Sequence, residues 1–221
     1  GDCAQSCRWS YNLYAEEKNN PGQLMPLESD ENGTSIFSSK DLCLIKEIPE
    51  IIDMGVDSLK IEGRLKTEYY VASVVNAYRT AIDDYMKDPE NYDYTKYLNE
   101  LEKVKTRPFT TFYFNDRKNE DIQDFSGKQY NDKYEFGGKI VEAKEEKSVI
   151  EIKNKLTVGD TLEILKPGQF EPIEFKIEQL WDYETGEKID FVSPGVKGQK
   201  VLMNIPVKCE NNWIMRRKKG N

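Results

Sequence analysis

Two clusters of charged residues follow β-prone segments in the first third of the chain. Thr34 to Phe37 is followed by Ser38, Ser39, Lys40 and Asp41; Ser58 to Ile61 is followed by Glu62, Gly63 and Arg64. In α/β architectures the loops that leave the C-terminal ends of strands carry the chemistry, because the strand backbones hold them rigidly. Lys40, Asp41, Glu62 and Arg64 are therefore the candidate catalytic residues. Glu62 suits a general acid or base if burial tunes it. A plainer alternative is that Glu62, Arg64 and Lys66 form ion pairs that seal a strand end. Ser38 or Ser39 beside Lys40 would supply the parts of a Ser-Lys dyad, yet adjacent residues on an extended strand point to opposite faces.

The thiols form a second constellation. Cys3 and Cys7 are spaced C-x3-C, which can set both on one side of a helical turn, and Cys43 lies further on. With no export signal, reduced thiols are expected rather than disulfides. Cys3, Cys7 and Cys43 are candidate metal or cofactor ligands, for an iron–sulfur cluster or a structural zinc, with ordinary buried cysteines as the alternative. Cys209 reads as a strand residue. The chain contains no histidine. That removes a Ser-His-Asp triad, a Cys-His dyad and His-based metal sites built from this chain alone.

The elements that must hold these groups can be read from periodicity. Leu42, Ile45, Ile48 and Ile52 follow a helical period from Asp41, Pro49 suits the start of a second short helix, and Gly55 its end. Thr67 to Lys87 is the clearest helix. Its stripe comprises Tyr70, Val71, Val74, Val75, Tyr78, Ala81, Ile82 and Tyr85, and Asp88-Pro89 ends it. A further helix is expected over about 95–105, with Tyr97, Leu98, Leu101 and Val104 inward, then a short aromatic strand over Thr110 to Phe114. Beyond Tyr134 the pattern becomes that of short strands: Gly137 to Val141, Ser148 to Ile152, Thr161 to Leu165, Ile173 to Leu180 and Lys200 to Ile205. Glycine- and proline-containing turns divide them, and the spacing suggests a small closed or nearly closed barrel.

This gives an α-β mixed chain of two domains. Residues 1–120 form a partial βα segment, 121–133 a linker, and 134–221 the small β-barrel. Two βα units are too few for a complete parallel sheet or an eight-stranded barrel, so the first domain reads as the closing part of a larger βα domain. The opening Gly-Asp-Cys fits an internal boundary better than a natural start. The net charge of −8 disfavours non-specific nucleic-acid binding, and no DNA partner is expected. Arg216, Arg217, Lys218 and Lys219 depart from that average. They read as a solubilising terminus or as a weak RNA phosphate contact. Mean hydropathy is −0.75, and no apolar run approaches the roughly 18 residues a membrane span needs, so no membrane partner and a cytoplasmic location are expected.

Four segments carry a resemblance: Gly-Asp-Cys-Ala-Gln-Ser-Cys-Arg-Trp-Ser-Tyr, Leu-Met-Pro-Leu-Glu-Ser-Asp-Glu-Asn-Gly-Thr, Ser-Ser-Lys-Asp-Leu-Cys-Leu-Ile, and Asp-Ser-Leu-Lys-Ile-Glu-Gly-Arg-Leu-Lys-Thr-Glu-Tyr-Tyr-Val-Ala. In this order, and continuing through Arg107-Pro108-Phe109-Thr110-Thr111, the chain resembles the collagenase-like peptidase family U32. The branch it resembles includes the tRNA hydroxylation proteins. Ser-Leu-Lys-Ile-Glu-Gly-Arg is the most specific piece.

The resemblance implies a TIM-type βα-barrel domain, of which this chain holds the closing portion, followed by a barrel similar to the second domain of elongation factor Tu. It implies hydroxylation of the tRNA wobble uridine with prephenate as co-substrate, and a four-iron–four-sulfur cluster on cysteines that include Cys3, Cys7 and Cys43. The family's upstream cysteine pair is absent here, which makes the cluster incomplete in this chain. Arg64 and Lys40 would grip the small carboxylate, a guanidinium doing so bidentately. The alternatives are a collagenase-like protease, and a non-catalytic RNA- or protein-binding module. An isolated quarter of a barrel is expected to be inactive without the N-terminal part of the same protein.

Overall fold

The computed structural model describes residues 11–19, 21–22, 24–30, 33–35, 39–104, 106–115, 133–195 and 198–219. The chain divides into two compact units, one from residues 1–43 and 107–129, the other from 44–106 and 130–221. The expected linker falls almost wholly outside the described residues.

The first unit is made of short strand pairs. Strands β1 (Tyr14–Glu16) and β2 (Leu24–Pro26) form an antiparallel hairpin, as do β3 (Glu28–Asp30) and β4 (Gly33–Ser35). The turn between β1 and β2 uses Gly22 at φ +93°, a conformation that favours glycine. Thr34 and Ser35 thus belong to a hairpin rather than to a parallel βα strand, and residues 36–38 lie outside the described set. Strand β5 (Asp41–Leu42) runs parallel to β6 (Phe109–Thr110). Asp41 N–H donates to Pro108 O at 2.9 Å and Cys43 N–H to Thr110 O at 2.9 Å. This pairing corrects the helix expected from Asp41, because backbone groups committed to a ladder cannot also make helical bonds.

The second unit joins three helices to a curled sheet. Helix α1 (Ile48–Asp53) has Pro49 in its first turn and buries Ile48 and Ile51; Gly55 follows at φ +77°. Ser58 to Ile61, expected as a strand, belongs to no strand in the structure. No described neighbour offers it a ladder, and β-propensity alone does not make a strand. Helix α2 (Glu68–Lys87) is capped by Thr67, whose Oγ1 accepts from Tyr70 N–H at 3.2 Å. Its buried face is Tyr69, Ser73, Val74, Ala77 and Ala81. The expected stripe is therefore rotated: Val71 and Val75 are 39% and 45% exposed. Small Ser73, Ala77 and Ala81 allow close approach to the neighbouring elements. After a 3-10 turn at Pro89–Asn91, helix α3 (Thr95–Leu101) buries Tyr97, Glu100 and Leu101.

The sheet comprises β7 (Tyr134–Glu142), β8 (Ser148–Ile152), β10 (Thr161–Leu165), β11 (Ile173–Lys176), β12 (Leu180–Asp182), β13 (Lys188–Ile189), β15 (Lys200–Met203) and β16 (Ile214–Lys218). Its order is β11-β10-β16-β7-β8-β15-β12-β13, antiparallel throughout, so it is an open, curled half-barrel. Strands β9 (Leu156–Thr157) and β14 (Phe191–Val192) form a separate pair. Ile140, Ile150, Ile152, Leu162, Ile164 and Val201, all 0–1% exposed, belong to the sheet's hydrophobic core. A second cluster of Tyr69, Val104, Phe136, Leu165 and Ile214 packs helices against sheet.

Candidate functional site

In the first unit, three of the expected site residues, Lys40, Asp41 and Cys43, fall within four positions of sequence. Asp41 sits in β5, half-buried, and its Oδ2 accepts from Arg107 N–H at 3.0 Å. Arg107 Nη1 donates to Ser39 O at 3.0 Å. The Asp41 carboxylate and the Arg107 side chain thus pin the strand crossing from both sides. Lys40 is half-buried beside them, and Cys43, at 9% exposure and in no disulfide, stands two positions after Asp41. Arg107 has no signal in local periodicity; its role comes from pairing residues far apart in sequence. Cys3, Cys7 and Ser38 lie outside the described residues.

Glu62 and Arg64 belong to the second unit. Glu62 Oε1 accepts from Arg64 N–H at 2.9 Å, and Gly63 O accepts from Lys66 N–H at 3.0 Å, which folds the segment into a turn ahead of α2. Both side chains are exposed, and Leu65 is 96% exposed. The burial on which an acid–base role for Glu62 depends is absent among the described residues. Gly63 has a packing reason: a Cβ there would lie 2.8 Å from Val71 Cγ2. Lys66 Nζ rests 5.0 Å from the centroid of the Tyr70 ring.

Three of the four residues of the C-terminal basic run, Arg216, Arg217 and Lys218, belong to a strand. Within β16, Arg216 is 0% exposed and pairs with Glu163 at 2.6 Å. It also grips Glu100 of α3 bidentately, one of the two contacts at 3.1 Å. Burial works against its charge, but the hydrogen bonds and charge of Glu100, then Tyr69 and Glu163, outweigh burial and raise its pKa. Arg217 pairs with Glu135 and, at 2.5 Å, with Asp160. Arg216 and Arg217 therefore hold the unit together and do not form a free basic tail. The alternation in Ile214-Met215-Arg216 is too brief, and its acidic partners too distant in sequence, for local pattern to reveal the strand. Lys218 continues β16, paired in register with Tyr134.

Tyr69 lies beside this ion cluster and donates its hydroxyl to Lys103 O at 2.9 Å; burial pushes its pKa up despite the nearby Arg216. Among the described residues no three His, Cys, Asp or Glu side chains cluster as a metal site. No described helix is long and apolar enough to cross a membrane.

Comparison with known proteins places these features. The chain is 38% identical over 193 residues to tRNA hydroxylation protein P1 of Bacillus subtilis, covering 86% of this chain and 44% of that protein. It is 31% identical over 254 residues to tRNA hydroxylation protein P of Escherichia coli, covering 97% and 54% respectively. The chain thus spans about half the length of the curated relatives it matches. The crystal structure of the C-terminal domain of a U32 peptidase from Geobacillus thermoleovorans is 25% identical, with TM-score 0.34, covering 39% of this chain and 93% of that one. The model of peptidase family U32 matches residues 1–124, a stretch that contains both charged clusters, and the model of the U32 C-terminal domain matches residues 132–216, the curled sheet. On that evidence the chain belongs to peptidase family U32.

Proposed function

We propose that this chain is part of a tRNA-modifying protein that hydroxylates the wobble uridine, with prephenate as co-substrate and a four-iron–four-sulfur cluster. The observation that carries the reading is the 38% identity to tRNA hydroxylation protein P1 across 86% of the chain. Arg64, exposed at the turn ahead of α2, is the proposed anion-binding residue of the second unit for a small carboxylate, and Lys40, beside β5, that of the first. Asp41 acts as a positioning residue through its bond to the Arg107 backbone.

Cys3, Cys7 and Cys43 would supply thiolates to the cluster. Cys43 is the member of this set within the described residues, and a buried thiol outside any disulfide has the soft-donor chemistry such a group requires. When bound, a cluster of this type supplies one-electron chemistry. A peptidase reading finds less support, because the chain offers no histidine and pairs Ser39 with an adjacent Lys40 only.

The test is complementation. A strain lacking its own wobble-uridine hydroxylation protein receives the whole reading frame that encodes this chain, and tRNA nucleosides are measured by mass spectrometry. Restored hydroxylation, lowered about ten-fold or more by Arg64→Ala, is the expected result, of the order associated with losing one charge-assisted contact. No hydroxylated nucleoside with the wild-type frame overturns the reading. Anaerobic purification adds a second readout: about four irons and four sulfides per protein, lost in Cys43→Ser.

A further inference from the structure

The rotation of α2 leaves apolar surface outside the packed seam. Val71 and Val75, both more than a third exposed, face Leu165, Pro167, Phe170 and Ile214 from the sheet side. Together they floor a groove of about 940 Å³ within the second unit. Asn76 Nδ2 donates to Gln169 O at 3.2 Å and ties the loop after β10 to the helix, so the groove has a fixed wall. Its volume is at the upper end for pockets that hold a small molecule.

The rim is cationic in a chain whose net charge is −8. Lys66, Arg79, Lys139 and Lys166 line it, against two carboxylates, Glu68 and Asp83. Lys139 bonds Glu68 at 2.9 Å, and Arg79 bonds Asp83. Lys166 Nζ lies 5.9 Å from the Trp213 ring centroid, as Lys66 lies over Tyr70, so aromatic faces hold both lysines near the groove. An apolar floor that accepts ring faces, bordered by spaced cations, matches a polyanion with flat apolar groups. Single-stranded nucleic acid has that chemistry.

We propose that this groove binds an RNA strand, with phosphates on the Lys66 and Lys166 rim and a base or ribose on the Val71–Val75–Phe170 floor. The proposal rests on the tRNA reading above and gives that partner a contact surface within the second unit.

The test uses the whole protein and an unmodified tRNA transcript, with fluorescence anisotropy titrations between about 50 and 200 mM salt. Lys66→Glu/Lys166→Glu is expected to weaken binding about ten-fold or more and to reduce the salt slope by roughly 1.5. Val75→Glu, at an exposed helix position, is expected to weaken binding while leaving the thermal melt unchanged. Lys188→Glu, on edge strand β13, is expected to bind like wild type. Wild-type binding that both groove variants retain overturns the groove and leaves the tRNA reading standing; this is also the outcome if the groove takes a peptide instead. Weakened binding with an unchanged salt slope overturns the phosphate assignment. A wild-type protein that neither binds nor hydroxylates tRNA overturns the reading and the groove together.

Discussion

Replacing Arg216 with methionine is the sharpest test of how the second unit is held together. Methionine fills comparable space and keeps the apolar contacts, so the change isolates the charge. It takes the cation from two carboxylates, Glu163 at 13% side-chain exposure and Glu100 at 6%, the latter left with Lys103 at 3.0 Å. Breaking a buried pair by removing one partner costs about 3–5 kcal/mol, because an uncompensated charge stays in a poorly solvated place. For a protein of this size that corresponds to a fall in Tm of roughly 10 °C or more. Urea unfolding of the purified chain, followed by fluorescence of buried Trp213, measures the loss directly. A companion variant, Arg216→Met/Glu100→Gln/Glu163→Gln, removes the stranded charges as well and is expected to recover at least half the loss. A single-variant loss below about 1 kcal/mol, the value of a surface pair, or a triple variant no more stable than the single one, refutes the argument.

Three further perturbations follow from local geometry. A Cβ on Gly138 would meet Glu151 O at 2.8 Å and Ile150 Cγ2 at 3.0 Å, so Gly138→Ala is expected to cost about 1–3 kcal/mol in urea unfolding. Tyr69→Phe removes the hydroxyl bonded to Lys103 O and strands that carbonyl; a loss of about 1 kcal/mol is expected by the same assay. Asp84 accepts from Lys96 and from Tyr97, which together hold its carboxyl below the usual carboxylate range. A lowered folded-state pKa means the unfolded chain binds more protons, so this contribution is present above about pH 3.9 and is lost as pH falls further. Asp84→Asn is expected to destabilise by under about 1 kcal/mol at pH 7, since the side chain is 42% exposed, and the gap to wild type closes in acid.

Local signals read well where they were strong and self-contained. Helix α2 was legible from its period, from Thr67 at its start and from Asp88-Pro89 at its end. Strands β7, β8, β10, β11 and β15 were legible from alternation and turn residues, whereas the short β9, β13 and β14 were not. The face of α2 was not, because its seam is lined by Ser73, Ala77 and Ala81, while Val71 and Val75 are the more hydrophobic side chains. The helix expected from Asp41 lost to a parallel pairing with Phe109–Thr110, which no local window contains. Four consecutive basic residues concealed a buried strand for the same reason: Arg216 meets its partners 53 and 116 positions away. Within the candidate site, Lys40, Asp41 and Cys43 could be named from sequence, whereas the Arg107 clamp on Asp41 depends on the fold.

The position of β16 bears on how this unit assembles in time. It lies between β7 and β10, which with β8 are the earliest strands of the sheet in sequence, and pairs with both. Neither ladder can form until a long loop has closed, and the entropy of that closure comes before any contact rewards it. Until β16 inserts, β7 and β10 each present a row of unpaired backbone groups and half of a hydrophobic face. Such intermediates fold slowly and recruit other open edges. The rate at which one arginine-bearing strand finds its slot therefore sets the interval during which newly made chains are exposed to aggregation.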